Sequence, residues 1–329
     1  MSNIITRTVN YVKRKKIKQI SPEQPPPIKE RTFAYKKFKH LPDDKLYVDN
    51  EFCLHFLSQD LINTQVLQEK TGQIFHTYWH GLIGEKQAFS IKSVLATQTN
   101  SKVWLWIDKK SWNMNINNPV LQDLKNYIEI KYYDVYAEIK NTPFESLNKL
   151  HWSQYIDLAL RADVFRIIIL AKYKGVYFDL DMFFLRDMGL LYKNDIIYCW
   201  ENQHYCNSAV LFFKSEKIIE NIVATVKESG TFKPWWVFNY DNIKLNTLLV
   251  YPCAFFDPIW NITNTDNYSY PIQSFDDFFT KKCNLKTYKE FFPGAYAYHW
   301  HNRWNITPVA DSFFDAFNKE LSRELNKNH

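Results

Sequence analysis

The stretch 152–187, WSQYIDLALRADVFRIIILAKYKGVYFDLDMFFLRD, constrains this chain more than any other. Its first half reads as a long helix whose Ile167-Ile168-Ile169-Leu170 run is apolar on every side, the mark of a buried helix. Gly175 then allows the helix to stop in a left-handed cap. A short strand follows and ends in two carboxylates, Asp179 and Asp181. If it stays extended, Val176, Phe178 and Leu180 face one way and Tyr177, Asp179 and Asp181 the other. Two carboxylates side by side repel each other and resist burial. A divalent cation carrying a phosphate would offset that repulsion. For a bare Asp-x-Asp the commoner reading is an exposed acidic turn, so the surroundings must decide.

Those surroundings are charged where a buried helix should not be. Asp157 and Arg161 are four residues apart, and Asp163 and Arg166 three apart, so each pair shares a helix face. Buried charges of this kind need pairing or a ligand. The chain has no G-x-x-x-x-G-K-[ST] and no G-x-G-x-x-G, which weakens the P-loop and Rossmann dinucleotide readings. With only 7 Gly in 329 residues, any phosphate site here leans on side chains and metal. A net charge of +6 suits an anionic ligand or surface but is too mild to call for nucleic acid. Much of the excess lies in Lys13, Arg14, Lys15, Lys16 and Lys18. Five scattered cysteines without a C-x-x-C point to reduced thiols in a cytosol-like compartment. No long apolar run and no signal-peptide core are seen, so the expected location is cytoplasmic.

The expected fold class is α/β. Residues 1–30 read as a flexible basic, proline-rich arm, residues 31–70 as a helical extension, and residues 71–329 as the main domain. GQIFHTYWHG reads as a strand, SIKSVLATQ as a helix and SKVWLWID as a second strand, the opening of a nucleotide-binding sheet. Ligands of such sheets sit beyond the carboxyl ends of the strands, where Tyr78, Trp79 and His80 fall. A third strand is expected in 127–135. DIIYCW and SAVLFF read as two more, with Glu201, Asn202, His204, Asn207 and Ser208 between them. KIIENIVATVKES and residues 311–325 read as amphipathic helices, and FKPWWVFNYDN as a loop.

D-x-x-R in a helix, a glycine turn, V-Y-x-D-x-D and a distal H-x-x-x-x-W (His299, Trp304) together resemble the DXD sugar transferases of glycosyltransferase family 32. They are also similar to the catalytic core of the large clostridial glucosylating toxins. The resemblance runs from about Ile74 to Asn305. It implies a GT-A fold, a mixed sheet flanked by helices that binds a nucleotide sugar, and a retaining hexosyltransferase using Mn²⁺ or Mg²⁺. It implies that Asp163, Arg166, Asp179 and Asp181 are the catalytic set, with Asp163 and Arg166 on the hydroxyls of the donor sugar. Asp179 would touch the ribose and a metal-bound water. Asp181 would hold the metal with His299 and Asn302. Trp79 would stack on the base and Trp304 on the diphosphate, with Tyr78, Tyr177 and Asn207 completing the donor site. The implied partners are a UDP-sugar donor and a glycan, lipid-linked sugar or protein acceptor. The chain departs from the family at Lys174-Gly175, where Gly-Gly is usual, and at Arg303, where Ser is usual.

Three other readings compete. Paired carboxylates also serve glycoside hydrolases, but no second acid of raised pKa is visible in the sequence. The basic arm and abundant aromatics would suit a nucleic-acid or membrane-surface binder, with peripheral membrane contact through the arm. A catalytically silent family member would bind nucleotide sugar and metal without turnover. The transferase reading predicts that Asp181→Asn abolishes function in a donor-turnover assay while deleting residues 1–30 spares it. A surface binder would give the reverse in a vesicle or nucleic-acid binding assay.

Overall fold

The computed structural model describes residues 50–64, 72–147, 158–200, 203–239, 248–260 and 270–327. The basic arm, most of the 31–70 extension, Asp157 and Glu201 lie outside the described residues. Within them, helix α1 (Asn50–Thr64) precedes β1 (Ile74–Trp79), α2 (Glu85–Thr97) and β2 (Lys102–Ile107). Next come α3 (Lys109–Asn115), α4 (Pro119–Leu124), β3 (Ile128–Tyr132) and α5 (Val135–Glu138). The long helix α6 (Leu158–Tyr173) leads into β4 (Val176–Phe178), β5 (Met182–Phe184), β6 (Ile196–Cys199) and β7 (Cys206–Phe212). The chain closes with α7 (Glu216–Ser229), α8 (Pro234–Val237), β8 (Tyr251–Pro252), α9 (Asp277–Thr280), β9 (Ala297–His299) and α10 (Phe313–Lys327).

Seven strands form one mixed sheet in the order β3-β2-β1-β4-β7-β6-β8. Strands β1 to β4 are parallel, and β7 runs antiparallel to both β4 and β6. This is the mixed α/β sheet flanked by helices that the resemblance implies. Parallel strands are covered on both faces, so their residues read as a nearly continuous buried run rather than an alternation. In β1 only the two ends, Ile74 and Trp79, are partly open. Helices α2 and α6 cover the sheet, and in α6 the residues Val164 to Leu170 are all buried.

A second, two-stranded sheet pairs β5 with β9 antiparallel, with Met182 opposite His299 and Phe184 opposite Ala297. Its strands are three residues long, too short to stand out in the sequence. Helix α2 holds this sheet by two serines one turn apart. Ser90 Oγ donates to the carbonyl of Met182 at 2.6 Å, and the Phe184 amide donates to Ser93 Oγ at 3.0 Å. Next to Ser90, Phe89 packs on Phe183 and Phe314, with ring centroids 4.7 Å and 4.8 Å away. Much of the aromatic content is core here; each such ring contributes about 1.5–3 kcal/mol by burial.

Three local expectations need correction. FKPWWVFNYDN is not all loop: Pro234 starts one helical turn, a position where its missing N–H costs nothing. The strand carrying the two carboxylates stops at Phe178 and does not reach Asp181. The Met182 amide donates to the Asp179 carbonyl at 3.1 Å, closing a turn over Leu180 and Asp181. The left-handed cap of α6 also starts one residue early, with Lys174 at φ +59° and Gly175 at φ +86°. Glycine is needed at 175 because a Cβ would lie 2.3 Å from the carbonyl oxygen of Ile74 in the neighbouring strand.

His76 ties this junction together. It is fully buried in β1, its Nε2 donates to the carbonyl of Lys174 at 2.9 Å, and its Nδ1 accepts from the Trp106 indole at 3.3 Å. That arrangement satisfies the neutral ring. Burial pushes its pKa down from 6.5 to about 4. A His whose folded pKa lies below the unfolded one binds fewer protons in the folded state, so its contribution is lost as pH falls. Lowering the pH from about 7.5 to about 5 should remove roughly 2 kcal/mol of stability through His76. Urea midpoints at the two pH values measure this, and His76→Gln should flatten the difference.

Candidate active site

The site is built from the inside out around Arg166. The buried position that α6 gives this guanidinium leaves it 6% exposed. Nη2 meets Asp163 at 3.2 Å, Nη1 meets Asp179 at 3.4 Å, and Nη1 also donates to the carbonyl and hydroxyl of Ser208 at 2.7 Å and 2.6 Å. Nε donates to Ala162 O at 3.2 Å, and the guanidinium lies over the ring of Tyr177 at 4.7 Å. The D-x-x-R spacing thus places Asp163 and Arg166 together, as the sequence implied, but Arg166 is spent on the protein itself. Tyr177, expected at the donor, is 1% exposed; its hydroxyl donates to Asp179 instead. Asn207, also expected there, is buried in β7 with Oδ1 accepting from the Ala209 amide at 2.7 Å.

The second carboxylate of the turn faces the distal motif. Because Met182 pairs with His299, Asp181 sits beside the end of β9. Asp181 Oδ2 is 3.1 Å from His299 Nε2 and accepts from the Asn302 amide at 2.8 Å. That amide points inward because His301 and Asn302 are both left-handed, at φ +50° and +57°. Successive backbone N–H groups in such turns favour anions. Tyr198 Oη is 3.0 Å from His299 Nδ1, fixing the ring from behind. Asn302 Oδ1 accepts from the Trp304 indole at 3.0 Å. Trp304 packs on Trp79 with centroids 5.0 Å apart, and Trp79 Nε1 donates to Leu82 O at 3.0 Å. The two tryptophans therefore meet each other. Lys86, on α2, donates to the carbonyls of Arg303, Trp304 and Ile306 and so anchors the distal motif from below.

The two carboxylates of the turn differ electrostatically. Burial raises the carboxyl pKa of Asp179, and the charge of Asp181 adds to it against the opposing pull of Arg166. Burial also works against ionised Asp181, but the imidazole of His299 and the Asn302 amide outweigh it and hold the carboxyl at about 2. His299 is raised in return: burial disfavours the imidazolium, and the charge of Asp181 more than reverses this. Asp181 is thus the fixed anion.

A cavity of about 500 Å³ opens at the carboxyl ends of β1, β2 and β3. Its lining includes Tyr78, His80, Asp108, Tyr133, Tyr136 and Arg161. Tyr78 Oη donates to Asp108 Oδ2 at 3.1 Å, His80 Nδ1 bonds the same oxygen, and Arg161 Nη1 lies 4.0 Å from it. The sequence reading missed Asp108 as a site residue, although its place at the end of SKVWLWID was a usable signal.

Removing Arg166 would strand two carboxylates in a largely buried site. Arg166→Ala should cost about 3–5 kcal/mol of unfolding free energy, the scale for breaking a buried pair. Arg166→Lys should recover only part of this, because an ammonium cannot span Asp163, Asp179 and Ser208 together. Chemical denaturation of the three proteins measures both differences.

Residues 84–201 match the family described as "Glycosyltransferase sugar-binding region containing DXD motif". No curated protein matches the chain. Among solved structures it is similar to the PaToxG glycosyltransferase, at 15% identity and a TM-score of 0.41, over 62% of this chain and 79% of that one. It is also similar to the glycosyltransferase GlyE of Streptococcus pneumoniae TIGR4, at 11% identity and a TM-score of 0.39, over 78% of this chain and 64% of that one. The family match spans α2, the D-x-x-R helix and the whole Asp179-Leu-Asp181 turn.

Proposed function

We propose that this protein moves a hexose from a UDP-sugar to a hydroxyl acceptor with retention of configuration, using Mn²⁺ or Mg²⁺. The observation that carries the reading is the meeting of Asp181 with His299 and Asn302. The side-chain donor atoms of Asp181 and His299 have the spacing of two ligands of one dication. Asp181 Oδ2 and His299 Nε2 stand 3.1 Å apart. Neighbouring ligands of one octahedral ion with bonds of about 2.1 Å have a similar separation. Asn302 Oδ1 keeps a second lone pair beside its bond to Trp304. An imidazole in the set favours Mn²⁺ over Mg²⁺. When bound, the cation supplies charge stabilisation to a diphosphate leaving group.

The chain's own residues do the rest. The cavity beside Tyr78, Asp108 and Arg161 has the size for a nucleoside. Asp163 and Asp179 offer carboxylate oxygens to sugar hydroxyls, and Arg166 keeps both oriented. Trp304, backed by Trp79, covers the diphosphate side, and Lys86 holds the backbone beneath it. Retention follows from the family resemblance, and a retaining transfer requires no dedicated base on the acceptor. A glycan, a lipid-linked sugar or a protein hydroxyl would each serve as acceptor.

The test is a panel of UDP- and GDP-sugars scored for release of nucleoside diphosphate, with Mn²⁺ and with chelator. UDP release should require the metal, and Asp181→Ala should lower it roughly a hundredfold or more. Donor binding without turnover would mark a silent family member. The absence of both binding and release across the panel would overturn the reading.

A further inference from the structure

Behind His299 lies a second group of ligating side chains that the proposed transfer does not use. Asp257 is wholly buried. Its Oδ2 accepts from the Trp200 indole at 2.8 Å and lies 2.6 Å from His301 Nε2. Its Oδ1 has no hydrogen-bond partner. Among the described residues its one ion-pair partner is His301, and no Lys or Arg reaches it. A buried carboxylate oxygen left without a partner is unfavourable, so the position calls for a further positive or polar group.

His301 stacks on His299, with ring centroids 3.8 Å apart and planes inclined by 28°. One ligand atom from each of Asp257, His299 and His301 lies within 4.8 Å of the others. Around His301 stand the rings of Trp260 at 4.9 Å, Phe275 at 4.6 Å and Trp200 at 5.9 Å. Such an apolar surround limits solvent and strengthens ligation within it. Two imidazoles and one carboxylate suit Zn²⁺, Co²⁺ or Fe²⁺ better than the oxygen-seeking Mg²⁺ or Ca²⁺.

We infer that Asp257, His299 and His301 form a transition-metal site of their own, adjacent to Asp181 but not dependent on it. Both nitrogens of His299 are already engaged, by Tyr198 and by Asp181, so ligation here displaces one of those bonds. His299 stands between the two positions, and a dication on the Asp257 side therefore withdraws a ligand from Asp181. The inference goes beyond the transferase reading and does not require a sugar donor.

The experiment is a titration of the full chain with Co²⁺ in the absence of nucleotide, read by visible ligand-field absorption, with displacement by Zn²⁺ followed calorimetrically. Wild type should show the Co²⁺ band and lose it to Zn²⁺. His301→Gln and Asp257→Asn should each weaken Co²⁺ binding roughly tenfold or more. Asp181→Asn should retain the band. His301 is partly exposed, so His301→Gln carries the test if Asp257→Asn fails to fold. The inference is overturned if wild type gives no such band, if His301→Gln binds as wild type does, or if Asp181→Asn loses the band as fully as His301→Gln. Because donor turnover does not enter the readout, failure of the transferase assay and failure of this site are seen separately.

Discussion

The buried guanidinium of Arg166 is the interaction on which the rest of the site depends. Three carboxylates, Asp163, Asp179 and Asp181, lie within a small, largely buried region. Without an internal cation their mutual repulsion and lost hydration would open it. Arg166 answers two of them directly and is fixed in turn by Ser208 and the ring of Tyr177. A planar group with five donors can do this; a point charge cannot. The helix exists in its buried form because this charge is compensated from within.

The third carboxylate is answered differently. Asp181 draws on His299 and on the Asn302 amide, both delivered by the far end of the chain. The delivery depends on the short β5–β9 pair and on α2, whose Ser90, Ser93 and Phe89 clamp β5 and whose Lys86 clamps the segment after β9. One helix thus fixes both halves of the candidate metal position. The result is a turn with one carboxylate held as a firm anion and one that burial and its neighbour push towards the neutral form. That asymmetry suits a division of labour between holding a cation and touching hydroxyls.

The sheet strands were legible where their apolar runs were long, as in IFHTYW and KVWLWI, because a parallel strand covered on both faces is apolar throughout. The strands β5, β8 and β9 were not, since two or three residues carry no periodicity. The Asp163–Arg166 pairing followed from helix spacing alone. The direction in which Arg166 points did not, because spacing along a helix says which residues are neighbours and not which face meets the sheet. Tyr177 illustrates the same limit: alternation put it on the side of the acidic pair, and burial made it a hydrogen-bond partner of Asp179 within the core.

Local rules of helix spacing and strand alternation act over a few residues, and over that range the sequence by itself determined the D-x-x-R helix, the break at Gly175 and the acidic pair. The resemblance to a known family of sugar transferases added the distal His299 and Trp304 as their companions. The tertiary structure decided what the pair does. It ended the strand at Phe178, turned Asp181 towards β9, set Trp79 against Trp304 and brought Asp257 and His301 behind His299. Those outcomes depend on contacts between segments far apart in the chain, where the energy comes from burial and charge compensation that no short window contains. The Asp179-Leu-Asp181 turn is acidic by sequence, and it is a candidate cation site because the fold places a second ligating group, the His299 imidazole, beside its inner oxygen.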